Sequence, residues 1–591
     1  MAELDAKEIV NDISKDLDAE RREQKLWSWL EAAALESARV REDHAQLSKY
    51  KDWLSTFYGE HWPATMPSFR PPIVANELRT LVLAEASDLS EAQPRIYITR
   101  DPRKGGRDRD AERALHAIWR RNGVDMAFTY ASLWALIAGT GFVETFWDCD
   151  AIMGLGEIMV QVRDPRTVLP DPDAKDDKDW TFRILETVMP LFEIKRLFPV
   201  SAHKVKPEDR FSMREGPTTM GDTGTLSYRF SSPLYPIGSG PTEDPALGYK
   251  TANARVLDCI LIDPSTETVV EEQVDVFGKP MTGEKGEASF KQKVVKKYPY
   301  GRRIVGCNGV ILYDGPSPNP NSYSGKLDTG LVRVVLEPTL DRFWGSGFVQ
   351  QTAELQMAAD KMLSALVENA IRLNNGMLVT TGNTGLDMES FASIPGQIVQ
   401  LNQGSSLKVE YPPPMPNDMV EAPWRMLDLQ RRILGFQDAR AGMPSRGNVS
   451  AELTETEISQ GQSTTRLRAR MLYAAIQRLA EMVFARMCYF YTTPRTIPAV
   501  EGEEFRPVTW TPVEHPEQYA IYVDPASVNI MSRTLIKRLG VALYKLQAID
   551  RKALLENVGW PAWSEVAKRM DDMDKAKILS EAMQDERKKN K

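Results

Sequence analysis

The sequence predicts an α+β chain built from several packed units, and three features carry that expectation. Its 591 residues are about four times the ~150 typical of one domain. Hydrophobic residues make up 42% and charged residues 26%, enough apolar material for a large core and unlike a disordered chain. The periodicity also changes along the chain: short alternating runs divided by turns dominate from Phe142 to Gly315, whereas stripes at helical spacing dominate beyond Pro338.

From Leu4 to about Tyr58, Ala, Glu, Lys, Arg and Leu prevail with few breakers, and Trp27, Leu30 and Leu35 recur near helical spacing, which predicts an amphipathic helical arm. PATMPSFRPP (Pro63 to Pro72) interrupts it. A helix over Val74 to Ala86 and a strand over Arg95 to Thr99 follow, then the loop DPRKGGRDRD (Asp101 to Asp110), whose mixed charges suit a solvated turn better than a phosphate site. A helix from Ala111 is expected to continue into the uncharged run Met126 to Val143. That run is just long enough to span a membrane, but its Thr129, Ser132, Gly139, Thr140 and Gly141 favour a buried helix that stops at Gly-Thr-Gly.

Strands are expected over Phe142 to Trp147 and Glu157 to Arg163. The loop DPDAKDDKD (Asp171 to Asp179) invites a calcium reading, but Lys175 holds the fifth position and no Gly follows, so an exposed acidic loop is expected. The Pro-, Gly-, Ser- and Thr-rich stretch from Pro199 to Asn253 is too polar for core and reads as a long excursion. Apolar runs return at Arg255 to Ile262, Thr268 to Val274 and Lys293 to Val295. RRIVGCNGVILYDG then sets Asn308-Gly309 between two such runs, a hairpin signal because a type I′ turn needs positive φ at both central residues.

Phe348, Leu355, Met362, Leu366 and Leu373 form one stripe on a helix of about 26 residues, stopped by Asn374-Asn375-Gly376. A small strand module from Met377 to Asn417, with LVTTG, GQIVQL and LKVEY, ends in Pro412 to Pro416. A second helix, Met419 to Phe436, tolerates Pro423 near its start. The polar loop Asp438 to Ser450 leads into the longest helix, capped by Ser450, kinked at Gly461 and running to Tyr491. Strands around Arg506 to Thr511 and Ala520 to Val523 and helices over Arg533 to Leu546 and Lys552 to Glu556 complete the chain.

The 74 Lys and Arg against 82 Asp and Glu leave a formal charge of -8, which disfavours tight binding of nucleic acid along the chain. Cys149, Cys259, Cys307 and Cys488 lie far apart without a CxxC pair, so reduced thiols are expected. The charged start MAELDAKEIVNDISK lacks the apolar core of a secretory signal. GMPSRGNV (Gly442 to Val449) has the spacing of a P-loop, but Asn448 and Val449 replace its Lys and hydroxyl residue. His44, His61, His116, His203 and His515 are scattered, with no HExxH and no GxSxG elbow. No catalytic, cofactor or metal residue is assigned, although carboxylates brought together by folding leave a two-metal nuclease open as an alternative. Arg466, Arg468 and Arg470, followed by Arg478 and Arg486 with only Glu481 opposing, suit a solvated or intersubunit ion-pairing face better than a DNA stripe.

The order of these elements resembles the portal, or head-to-tail connector, proteins of tailed double-stranded DNA bacteriophages. The strings that carry the resemblance are KYPYGRRIVGCNGVILYDG (Lys297 to Gly315) and FWGSGFVQQTAELQMAADKMLSALVENA (Phe343 to Ala370). IMVQVRDPRTVLPDPDA (Ile158 to Ala174) and ALYKLQAIDRKALLENVGWP (Ala542 to Pro561) add support. The resemblance implies a portal fold assembled as a ring, with an N-terminal helical arm (1–72), a mixed α/β wing (73–345, carrying the excursion 199–253), a stem helix (346–375), a clip (376–417) and a second stem helix (418–436). A tunnel loop (437–450), a long kinked helix with wing strands (451–531) and a helical crown with a basic tail (532–591) follow.

The implied role is a structural DNA conduit at the portal vertex of the virion, assembled in the host cytoplasm, with no enzymatic activity, cofactor or membrane. The implied partners are further copies of itself in a ring, expected to be a dodecamer, double-stranded DNA, the terminase large subunit, head-completion, adaptor or tail proteins, and the major capsid and scaffolding proteins. Arg440, Gly442, Arg446 and Gly447 are the candidate channel-loop residues, against the alternative of an ordinary surface loop. Gly461 is the candidate kink, and Asp387, Glu389, Lys408 and Glu410 are the candidate docking charges of the clip. A non-portal tail or internal virion protein is the other alternative.

Overall fold

The computed structural model describes residues 19–45, 47–63, 71–90, 96–100, 106–177, 179–206, 253–272, 290–320, 327–374, 377–382, 400–410, 416–436, 463–501, 504–512, 519–523, 540–558, 566–573 and 575–576. Helices α1 (Ala19–Ala45), α2 (Tyr50–Tyr58) and α3 (Glu77–Ser90) precede strand β1 (Ile96–Thr99). The single helix expected from Ala111 is two, α4 (Arg109–Arg121) and α5 (Val124–Ala138), because Gly123 at φ +58° breaks the run between them. Asp108 caps α4 by accepting from the Ala111 amide. α5 stops at Gly139, φ +87°, and β2 (Gly141–Asp148) begins two residues later, as the Gly-Thr-Gly break predicts.

β2 pairs with β3 (Glu157–Arg163) and with β11 (Leu331–Val334) in a three-stranded antiparallel sheet. A five-stranded antiparallel sheet runs β10 (Val310–Pro316), β9 (Arg302–Cys307), β6 (Asn253–Leu261), β5 (Phe182–Pro190), β4 (Val168–Pro170). Asn308 and Gly309 both take positive φ, 46° and 84°, at the β9–β10 turn. The helix of the N-terminal segment does not stand apart from the rest: Leu26, Trp29, Leu30, Ala34 and Ala38 on α1 form one core with Phe182, Ile184, Leu257, Cys259 and Ile304 of this sheet. β7 (Thr266–Glu272) and β8 (Phe290–Lys296) make a separate ribbon.

Helix α7 is preceded by α6 (Leu191–Leu197) and runs over Phe348–Asn374, 27 residues and about 40 Å. The ribbon β12 (Met377–Thr381) with β13 (Ser406–Glu410) separates it from α8 (Asn417–Ile433). Helix α9 (Ser463–Phe490) passes through the main core, burying Leu472, Ile476, Leu479, Val483 and Met487. β14 (Arg495–Glu501) pairs with β15 (Glu504–Trp510), β16 (Ala520–Val523) closes on β1, and α10 (Arg551–Val558) lies toward the C-terminus.

The main core depends on a close crossing of glycines. A Cβ on Gly139 would lie 2.1 Å from the Gly345 carbonyl oxygen, and one on Gly347 would lie 2.6 Å from the Ile137 carbonyl oxygen. The Gly345 amide donates to Thr140 Oγ1 at 3.0 Å. The end of α5 thus touches the loop that launches α7, backbone against backbone, which only glycine permits.

Candidate functional site

The helices that flank the small ribbon pack on each other. On α8, Leu427 and Gln430 are buried, as is Leu434 just past its end, while Met419, Val420, Trp424, Leu429 and Ile433 face solvent, Trp424 at 60% exposure. On α7 the apolar stripe read from the sequence is only partly covered. Phe348 is buried, Leu355 and Leu366 are half-buried, and Met362 is exposed, with Val367 and Ile371 also open. The deeply buried face of α7 is instead polar: Thr352, Gln356, Asp360, Ser364 and Glu368 recur at every fourth residue.

That polar face serves a backbone. Gln356 Nε2 donates to the Ala75 carbonyl at 2.7 Å, the Ala75 amide donates to Asp360 at 2.8 Å, and the Ile73 amide donates to Ser364 at 3.1 Å. Among the described residues the extended segment before α3 has no strand partner, and the side chains of α7 supply hydrogen bonds to it. At the start of α7 the Phe348 ring meets Phe436 edge-on at 6.2 Å, closing the two-helix unit at its base. A groove between α8 and the start of α3 is lined by Glu77, Glu421, Trp424, Arg425, Asp428 and Arg431, and Arg431 pairs with Glu77 across it.

Three of the five arginines of α9 depart from their sequence reading as a solvated face. Arg468 is buried, donates to Glu85 at 3.1 Å and to Glu337 at 3.0 Å, and stacks 4.6 Å over the Phe348 ring. Arg486 is fully buried against Asp328, 3.2 Å away. Arg478 meets Asp177 at 3.4 Å, and Arg333 meets Asp176 at 2.6 Å. Arg468, Arg478 and Arg486 are therefore internal ties, and the opposing carboxylates come from distant segments, not from α9 itself. Arg466 and Arg470 alone of the five are exposed.

The acidic loop, expected to be open to solvent, is so only in part: Asp173, Lys175 and Asp179 are exposed, whereas Arg333 and Arg478 hold Asp176 and Asp177. Asp171 receives the Thr181 amide at 3.1 Å, and burial raises the pKa of Asp177 while Arg478 pulls it back. Lys408 and Glu410 lie on exposed β13, 3.5 Å apart, a surface pair of little stabilising value. Asp387, Glu389, Arg440, Gly442, Arg446, Gly447 and Gly461 lie outside the described residues, as does Ser450.

Among the described residues no three His, Cys, Asp or Glu side chains stand as a metal-binding group, and no helix is long and apolar enough to cross a membrane. The four thiols form no disulfide, and burial pushes that of Cys488 up to about 12 and raises that of Cys259 further. His116 is held below its ordinary value by burial, with Glu112 opposing.

A family model described as phage P22-like portal protein matches residues 59–590, nearly the whole chain. The chain belongs to this portal protein family. No curated protein matches it. Among solved structures, this portal family member is similar to a chain in the neck of an empty GTA particle, computed with C6 symmetry. The two are 10% identical over 87% of this chain and 94% of that one, with a TM-score of 0.40, a loose superposition. The match begins at Gly59, just after α2, so α1 and its packing on the five-stranded sheet lie outside it.

Proposed function

We propose that this portal family member is the subunit of a ring at the portal vertex, a passive conduit through which double-stranded DNA enters and leaves the capsid. α7 and α8 are its stem, the ribbon β12–β13 belongs to its clip, and residues 437–450 form the loop facing the channel. The observation that carries the reading is the family match over 59–590.

The outward apolar residues of the two helices support it. Val420 and Trp424 lie on one flank of α8 and Leu429 and Ile433 on the opposite flank, and with Val367 and Ile371 on α7 they leave a single subunit with exposed apolar residues on more than one side. A ring closes when each copy offers two different complementary faces, which apolar residues on opposite flanks suit. The net charge of -8 suits a wall along which a polyanion slides, since many fixed cations would hold DNA through counterion release. In this reading the ATPase belongs to the terminase large subunit, and the clip meets the terminase, then adaptor or tail proteins.

The conduit is tested at the loop. Arg440→Ala with Arg446→Ala removes two cations per subunit, and rings should still form while packaged DNA falls several-fold in virions carrying both changes. Genome retention equal to the parent virion would remove the loop from the DNA path.

A further inference from the structure

His61 lies three residues past the end of α2, its ring placed between two elements. Its Nε2 sits 2.8 Å from the Thr56 carbonyl oxygen, and its Nδ1 meets Asp360 Oδ2 on α7. The side chains of His61 and Asp360 are each 1% exposed. A carbonyl oxygen accepts only. Asp360 already receives the Ala75 amide at 2.8 Å and Gln356 Nε2 at 3.2 Å, so its carboxylate is an acceptor here too. A ring that faces an acceptor at each nitrogen must donate from both, and only the imidazolium does that.

We propose that the His61–Asp360 pair is a proton-linked latch: its proton seats the strap formed by the described residues 56–63 and 71–78 on helix α7, and loss of that proton loosens the strap. Besides α7, the strap is tied to α8 at its far end, where Glu77 pairs with Arg431. Trp62 Nε1 donates to the Ile73 carbonyl at 3.0 Å and Asn76 Nδ2 to the Phe57 carbonyl at 2.9 Å, so the two ends of the strap hold each other while Gln356, Asp360 and Ser364 hold both to α7. Neutral imidazole would leave either the Thr56 carbonyl or the Asp360 carboxylate facing a bare nitrogen in a site without solvent.

The groups around the ring leave one charge in control. α2 presents the Thr56 carbonyl, the segment before α3 presents the Ala75 amide to the far side of the carboxylate, and α7 presents Asp360, the charged group that acts on His61 among the described residues. Burial disfavours the imidazolium, but the hydrogen bonds to Asp360 and Thr56 and the Asp360 charge outweigh it, so His61 keeps its proton above the ordinary 6.5. A raised folded value means the latch is fully engaged below the ordinary 6.5 and disengages as pH climbs through the folded one.

The test is amide hydrogen exchange on the full chain from pH 6 to pH 9, corrected for the intrinsic dependence of exchange on pH. Peptides covering 71–78 should lose protection by about ten-fold across that range, the scale of one hydrogen bond to a charged group, while peptides from α9 and the five-stranded sheet stay level. In His61→Gln the 71–78 peptides should start at the lower protection and show no step. Flat protection of 71–78 in the parent chain overturns the latch, as does a step that persists in His61→Gln. If His61→Gln does not fold, the parent chain decides alone: a step confined to the strap and the facing turns of α7 supports the latch, and a step spread over all peptides overturns it.

Discussion

Gly139→Ala lowers the folding stability of the chain by about 3 kcal/mol or more, from overpacking and a left-handed backbone acting together. The new methyl would sit 2.1 Å from the Gly345 carbonyl oxygen and 2.5 Å from its carbon, a backbone that no rotamer change can move aside. The φ of +87° at Gly139 adds the cost of a left-handed conformation for an L residue. Gly123→Ala separates the two contributions, because Gly123 also has positive φ, 58°, but among the described residues no atom beyond its chain neighbours stands within 4 Å of its Cβ position. Urea unfolding of both variants at one fixed protomer concentration should show a loss of about 1 kcal/mol for Gly123→Ala and a clearly larger one for Gly139→Ala. Equal losses would mean that the contact between α5 and the loop before α7 contributes nothing.

Arg486→Met produces the second large effect. Arg486 and Asp328 are both without solvent exposure, and the guanidinium also donates to the Met482 carbonyl at 3.1 Å. Removing the cation leaves the Asp328 carboxylate, among the described residues, with the Gly330 amide at 2.9 Å as its donor, and a broken buried pair typically costs about 3–5 kcal/mol. Arg486→Met combined with Asp328→Leu should recover most of that loss, since a pair of apolar side chains leaves no buried charge behind. Urea midpoints of the single and double variants check this. A double variant as unstable as Arg486→Met alone would show that packing around the guanidinium, not its charge, holds α9 in place.

Much of the architecture is legible in the sequence, for local reasons. α7 has the bounds its composition predicts, because Phe348 opens a run without Gly or Pro and Asn374-Asn375-Gly376 closes it. The Gly-Thr-Gly break at 139–141 and the Asn308-Gly309 turn are read correctly because each needs a backbone conformation that few residues adopt. β5 goes unread because FRILETVMP pairs on both edges, with β4 and β6, and shows no strict alternation of apolar and polar residues. β14 goes unread, its internal Pro498 arguing against a strand, although the facing Pro507 does not hide β15.

The site is less legible than the fold because its contacts join remote segments. Nothing near Arg468 announces Glu85, and nothing near His61 announces Asp360. The polar face of α7 does carry a sequence signal, since Thr352, Gln356, Asp360 and Ser364 repeat at intervals of four. Read as the solvent side of an amphipathic helix, that repeat gives the wrong face, because its partner is the bare backbone of the segment before α3.

If many copies of this chain close around a channel, negative-stain imaging of the purified full chain at micromolar concentration and moderate salt will reveal it. Ring-shaped particles with a stain-filled central hole, assembled from many 66.6 kDa subunits, are the expected result. Particles that stay the size of one or two subunits, with no hole, across that concentration range would contradict it.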